Sequence, residues 1–292
     1  MFIATLIASE RLSAGDISAA VDRLAAAGCA PREVIMIEAD KACDIQIAND
    51  EGARAAIENL ATGLDIFVQK AAERRRKLII ADMDSTMITC ECIDELADYA
   101  GIKPEIAAIT EAAMRGELDF EDALRGRVSL LAGLSEAVIE QCLAERVVVM
   151  AGARTLVQTI RANGGHAVLV SGGFTRFAEP VAERIGFHLA IANQLGIKDA
   201  VLDGTVVGPI VGAQTKRDTL LTTLGDKGWA TSDSLAVGDG ANDIPMIEAA
   251  GLGVAYHAKP KTAAAAAASV RYNDLTALLY AMGYARGEWS AN

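Results

Sequence analysis

Residues 77–86, Lys77-Leu78-Ile79-Ile80-Ala81-Asp82-Met83-Asp84-Ser85-Thr86, constrain this chain more than any other stretch. A basic run gives way to four apolar residues, which end at two carboxylates one residue apart and then two hydroxyls. A short apolar run bounded this way predicts a buried strand of a parallel sheet. Open α/β sheets bind ligands at the carboxyl ends of their strands, where Asp82 and Asp84 fall. In extended chain, residues i and i+2 share a face. Two close carboxylates cannot both stay ionised without a cation or a shared proton. The pair therefore points to a metal, an acid/base role, or both.

The surrounding chain sorts into two textures. Residues 2–8, 33–38, 43–48 and 64–68 read as strands, and 16–27 and 52–60 as helices. This βαββαβ order over residues 1–72 predicts a small α+β domain of ferredoxin-like topology. Residues 69–77 are charged, and Arg74-Arg75-Arg76-Lys77 reads as a solvated boundary between domains. After the 78–81 strand, four short helices over about 90–148 read as an inserted helical cap. Alternating strand and helix resumes at 152 and runs to about 283, which predicts a doubly wound parallel sheet, a Rossmann-like core. Within it, 189–192 reads as a short strand. Residues 197–211 read as a hairpin turning at Asp203-Gly204.

Four places in this core carry chemistry: Asp82/Asp84, Ser171-Gly172-Gly173 at the end of the 166–170 strand, Lys216 near a helix start, and Gly238-Asp239-Gly240-Ala241-Asn242-Asp243 after the 235–237 strand. Each alone has a plain structural explanation. Gly-Gly is a tight turn, a helix-start lysine is solvated, and Asp-Gly is a turn signal. Their succession on consecutive strand ends is more specific. Several carboxylates in one place call for a hard cation with oxygen ligands. A serine with two glycines before a helix offers a hydroxyl and backbone N–H groups to an anion. Lys216 adds a point charge for a phosphate oxygen.

The motif set resembles that of the haloacid dehalogenase-like phosphatases. The run Met114-Arg115-Gly116-Glu117-Leu118-Asp119-Phe120 through Leu124-Arg125-Gly126-Arg127-Val128 is similar to the cap of the phosphoserine phosphatases within that family. The resemblance covers residues 77–283 and implies hydrolysis of O-phospho-L-serine. Asp82 would be the nucleophile forming an aspartyl-phosphate, and Asp84 the general acid and then base. One Mg2+ would be held by Asp82, Asp239 and the Asp84 carbonyl. Ser171, Gly172 and Lys216 would bind the phosphoryl group, with Asn242 and Asp243 orienting metal waters and Lys216. Glu91 would face the substrate ammonium and Arg127 its carboxylate, and Met114 and Phe120 would exclude water. Residues 1–72 are similar in topology to ACT-like amino-acid-binding domains. A phosphotransferase and a regulatory amino-acid binder are the competing readings.

Composition sets limits on partners. A net charge of −12 and a pI near 4.8 disfavour nucleic acid and anionic membranes. The Ala-rich 262–270 tract is too short to span a bilayer, and no secretory leader opens the chain. Five cysteines, an odd number, fit reduced thiols in the cytoplasm better than a disulfide framework. Cys90-Glu91-Cys92 lacks a second pair at zinc-ligand spacing. The expected partner is the small-molecule substrate, and the sequence admits a homodimer.

Overall fold

The computed structural model describes residues 1–290 apart from 115 and 116, and the side chain of Met114 also lies outside the described residues. The N-terminal unit consists of β1 (Phe2–Ala8), α1 (Ala14–Ala26), β2 (Pro31–Glu38), β3 (Ala42–Ile47), α2 (Ala53–Ile57) and β4 (Leu64–Lys70). Its strands lie in the order β2-β3-β1-β4, every neighbouring pair antiparallel. Ser13 starts α1 with a reciprocal cap: it accepts from the Asp16 N–H, and the Asp16 carboxylate accepts from the Ser13 N–H. The apolar faces of sheet and helices enclose Leu6, Leu24, Ile45, Ile47 and Ile57.

The second unit begins with β5 (Leu78–Ala81), buried along its whole length as a strand covered on both faces must be. Four helices follow as the cap: α3 (Cys92–Ala100), α4 (Lys103–Met114), α5 (Phe120–Ser129) and α6 (Ala137–Glu145). Then come α7 (Ala153–Ala162), β6 (His166–Phe174), α8 (Thr175–Ile185), β7 (Leu189–Lys198), β8 (Val201–Val207), α9 (Ala213–Lys227), β9 (Ser234–Gly238), α10 (Ile244–Ala249), β10 (Leu252–Tyr256), α11 (Pro260–Ala265), β11 (Ala268–Val270) and α12 (Ala277–Ala281). The strands β11-β10-β9-β5-β6-β7 are parallel neighbours in that order, and β8 closes the edge antiparallel to β7. Successive strands leave β5 in opposite directions, to β6 on one side and β9 on the other, which opens the ligand-binding crevice at its end. The register pairs Ala81 with both Leu169 and Val237. Asp82 therefore emerges level with the end of β9 and with Val170, just before the Ser171-Gly172-Gly173 run of β6.

β4 meets β11, so the two units share an 11-stranded sheet. Their cores also merge, with Ile7 and Phe67 packing in the same cluster as Tyr256, Leu275 and Tyr280. Here the solvated-boundary reading fails for Arg74 and Arg76, while Arg75 and Lys77 stay about half exposed. Arg74 donates to both Asp44 oxygens, at 2.6 and 3.1 Å, and to the Tyr280 carbonyl. Arg76 is 4% exposed and donates to Gln69 Oε1 and the Ser232 carbonyl. Arg75 stacks 3.7 Å from the Tyr284 ring centre and bonds Glu288, and Lys77 pairs with Asp233. The run is a seam in which Arg74 neutralises the buried Asp44 and the arginines hold backbone carbonyls of distant elements.

A second expectation also changes. The β7–β8 hairpin turns at Asp199-Ala200, both left-handed at φ 53° and 62°, between the paired residues Lys198 and Val201. This two-residue turn with positive φ matches the twist of the strands. Asp203-Gly204 lies inside β8. Gly204, at φ +83°, lets the strand approach the cap, where a Cβ would stand 3.0 Å from that of Ala132. β7 also runs six residues past the predicted end, and the Ala-rich tract divides into α11 and β11. Among the described residues no helix is long and apolar enough to cross a membrane.

Candidate active site

The Asp82 N–H makes the last bond to β9, donating to the Val237 carbonyl. The chain then leaves the sheet, and the 5% exposed Asp82 side chain folds back so that Oδ1 accepts the Met83 N–H at 2.8 Å. The same oxygen lies 2.6 Å from the Lys216 ammonium. Lys216 sits in the first turn of α9, has no exposed surface, and donates at 2.6 Å to Asp243 Oδ1 as well. The other Asp243 oxygen accepts the N–H groups of Asp239 and Gly240. That Oδ2 grip fixes the loop after β9. Gly238 is required there, because a Cβ would come within 2.4 Å of the Asp243 carboxyl group.

Asp84 points another way. Its Oδ1 accepts the N–H of Cys92, the first residue of α3, and so stands at a helix N-terminus. Its Oδ2 lies against Gly173, where a Cβ would approach it to 2.8 Å. Ser85, left-handed at φ 54°, turns the chain and donates to Glu91 Oε1 at 2.6 Å. Opposite, the fully buried Ser171 accepts the Gly173 N–H at 2.8 Å. The Phe120 ring of the cap lies over Gly172 and Gly212, 3.2 and 3.5 Å from where their Cβ atoms would be.

The electrostatics follow from burial. Asp82 is pushed well above the carboxylate range, first by desolvation and then by the Asp243 charge, with Lys216 opposing. Asp84 rises to about 7 through desolvation and then Glu91. Asp239 rises to about 6 through desolvation and then Asp243. For Lys216, burial favours the neutral amine, but Asp243 and Asp82 outweigh it and raise its pKa. The half-buried Arg127 is lowered by desolvation, against the fields of Asp94, Glu91 and Asp84. One buried lysine faces three clustered acids.

That surplus of negative charge suits a cation. Asp82, Asp239 and Asp243 each offer a carboxylate oxygen, all within 4.8 Å of one another. An oxygen-only donor set of this kind fits a hard divalent metal. Both Asp243 oxygens are already engaged, so Asp82 and Asp239 are the freer ligands. Thr86 Oγ1 donates to Asp239 Oδ1 at 3.4 Å.

The structure thus draws Asp82, Asp84, Ser171, Gly172, Lys216, Asp239 and Asp243 to one crevice. Asn242 folds over Gly240, its Oδ1 2.3 Å from where a Cβ would be. Glu91 and Arg127 act on the site through their fields, and Arg127 Nε donates to the Ala123 carbonyl. The expectation for Met114 falls on a side chain outside the described residues, as does the Arg115-Gly116 part of the cap motif. Gly173 falls within the anion-binding run read from sequence, Thr86 stands in the first motif without a role of its own, and one residue escapes the sequence reading of the site, Asn193. It is a buried polar residue beyond the point where its strand was expected to stop.

Comparison with known proteins supplies a context for this geometry. Residues 79–248 match the model of the haloacid dehalogenase-like hydrolases. Phosphoserine phosphatase SerB2 of Mycobacterium tuberculosis is 46% identical over 220 residues, 75% of this chain. The chain spans about half of that relative's length, 54%. Among solved structures, a haloacid dehalogenase family hydrolase from Salmonella enterica aligns with TM-score 0.83 and 29% identity, covering 97% of this chain and 99% of that one. A probable phosphoserine phosphatase from Vibrio cholerae, in unliganded form, aligns with TM-score 0.75 and 35% identity, covering 100% of this chain and 90% of that one.

Proposed function

This chain belongs to the haloacid dehalogenase-like hydrolases, and from that premise we propose that it is a magnesium-dependent phosphoserine phosphatase working through an aspartyl-phosphate. One observation carries the reading: the two acids after β5 have different partners. Asp82 is held against the Lys216 ammonium at 2.6 Å. Asp84 stands apart with its pKa raised to about 7, so near neutral pH it can hold or release a proton.

Asp82 attacks phosphorus, and the bond from phosphorus to the seryl oxygen breaks. Asp84 gives its proton to that leaving oxygen. In the second half, Asp84 takes a proton from the water that attacks the phosphorus, and the bond to Asp82 breaks to release phosphate. Lys216 and the arch at Ser171-Gly172-Gly173 hold the equatorial oxygens, where charge stabilisation does most of the catalysis. Magnesium, held by the Asp82 and Asp239 carboxylates and the Asp84 carbonyl, would supply the positive charge that lets an anion attack an anion.

Selectivity lies in the cap. Glu91, held toward the site by Ser85, suits the substrate ammonium. Arg127 suits its carboxylate, since a planar guanidinium binds carboxylate in two places. Phe120 covers the phosphate arch and excludes water. We assign residues 1–72 as an ACT-like unit and the cytoplasm as the compartment. Steady-state kinetics over a panel of phosphomonoesters tests the proposal. L-Phosphoserine is expected to lead by kcat/KM, with magnesium required. Equal turnover of sugar or aryl phosphates would overturn the assignment of substrate.

A further inference from the structure

We infer that Asn193 is a positioning residue that locks the phosphoryl-binding arch to the helix carrying Lys216. The inference rests on the phosphatase reading above, and its L-serine control on the choice of phosphoserine. Along the β6–β7 ladder, Val170 pairs with Ile191 and the next pair is Phe174 with Asn193. Three residues of β6, Ser171-Gly172-Gly173, therefore stand opposite the single Ala192. Such a bulge frees backbone N–H groups for an anion, and it also breaks the ladder that would hold them in place.

The Asn193 carboxamide takes over that task. It is 1% exposed. Its Nδ2 donates to the Gly172 carbonyl at 2.9 Å and the Val211 carbonyl at 3.3 Å, and its Oδ1 accepts the Val211 N–H at 2.7 Å. Both side-chain N–H groups and the oxygen are used. Val211 precedes Gly212, the residue that opens α9 and whose carbonyl accepts the Lys216 N–H. One side chain thus ties together β7, the arch and the lysine helix. An aspartate of the same shape would lose both donors and set a charge against two carbonyls, and a leucine would leave three buried polar groups unsatisfied.

The test compares Asn193→Asp and Asn193→Leu with the wild type on any phosphomonoester the wild type hydrolyses, with inhibition by orthovanadate and by L-serine measured in parallel. A misplaced arch predicts that kcat falls between about tenfold and a hundredfold. Vanadate affinity should fall with it, while L-serine inhibition changes less than about threefold. Unchanged kcat, or vanadate and serine weakened alike, would overturn the inference. Hydrogen exchange of the wild-type Asn193 side-chain amide tests the clamp independently of how the variants fold: slow exchange supports it and solvent-rate exchange refutes it. If the wild type hydrolyses no phosphomonoester, the phosphatase reading fails, and the exchange measurement still decides whether the clamp exists.

Discussion

The ammonium of Lys216 lies 2.6 Å from Asp82 Oδ1, and the lysine has no exposed surface. A buried cation of this kind is tolerated only while its carboxylates remain, and they in turn depend on it. Replacing Lys216 by Met removes the charge and leaves Asp82 and Asp243 buried together. Loss of a donor aimed at developing charge costs about a hundredfold to a thousandfold in kcat. Breaking a buried pair costs about 3–5 kcal/mol of stability. Kinetics and urea unfolding of Lys216→Met should show both losses, and a variant with wild-type turnover would contradict the assigned role.

The raised acids make a prediction about pH. Asp84 and Asp239 carry folded-state values near 7 and 6, against an ordinary value of 3.8. The folded, metal-free protein therefore binds these protons more tightly than the unfolded chain. Their burial costs no stability well below pH 4; the cost grows as pH rises from about 4 and levels off above about 6 for Asp239 and above about 7 for Asp84. In thermal melts without metal, the wild type should lose stability over that window relative to Asp239→Asn. Added magnesium should restore it by binding only the folded state. A metal-free wild type that gains stability over the variant as pH rises would contradict this electrostatic account.

The cap makes a separable prediction about substrate choice. Arg127→Ala should raise KM for phosphoserine by about tenfold or more, since a charged hydrogen-bonded contact is worth about 1.5–3 kcal/mol. Turnover of an aryl phosphate, which has no carboxylate to bind, should change little. Equal losses on both substrates would show that Arg127 acts on the fold and not on the ligand.

The seam between the two units is open to a direct test. Asp44 is 4% exposed and receives both the Arg74 guanidinium and the Thr5 hydroxyl. Arg74→Ala leaves that carboxylate without its cation and should cost about 3–5 kcal/mol. Urea unfolding measures this, and a loss under about 1 kcal/mol would return the basic run to a surface role.

The parts of the fold that follow local rules were legible before the structure. Leu78–Ala81 is short, apolar and stopped by acids, so both its strand character and the position of Asp82 followed from pattern alone. The four chemistry-bearing loops were legible because each directly follows a strand or opens a helix. What stayed hidden was long-range. Arg74 and Arg76 look like solvated charge until Asp44, Gln69 and the Ser232 carbonyl arrive from distant elements. The Asp199-Ala200 turn was obscured by the stronger Asp-Gly signal four residues on, whose glycine serves contact with the cap. Asn193 could not be found from its own strand, because its partners, Gly172 and Val211, lie about twenty residues away on either side.

The central claim is that Asp82 is the group that becomes phosphorylated. Acid quenching of the enzyme within milliseconds of mixing with labelled phosphoserine and magnesium, followed by peptide mapping, tests it most directly. The account predicts an acid-stable, hydroxylamine-sensitive label on the peptide containing Asp82, with both label and turnover absent in Asp82→Asn. Turnover that persists in Asp82→Asn, or a label on another residue, would contradict it.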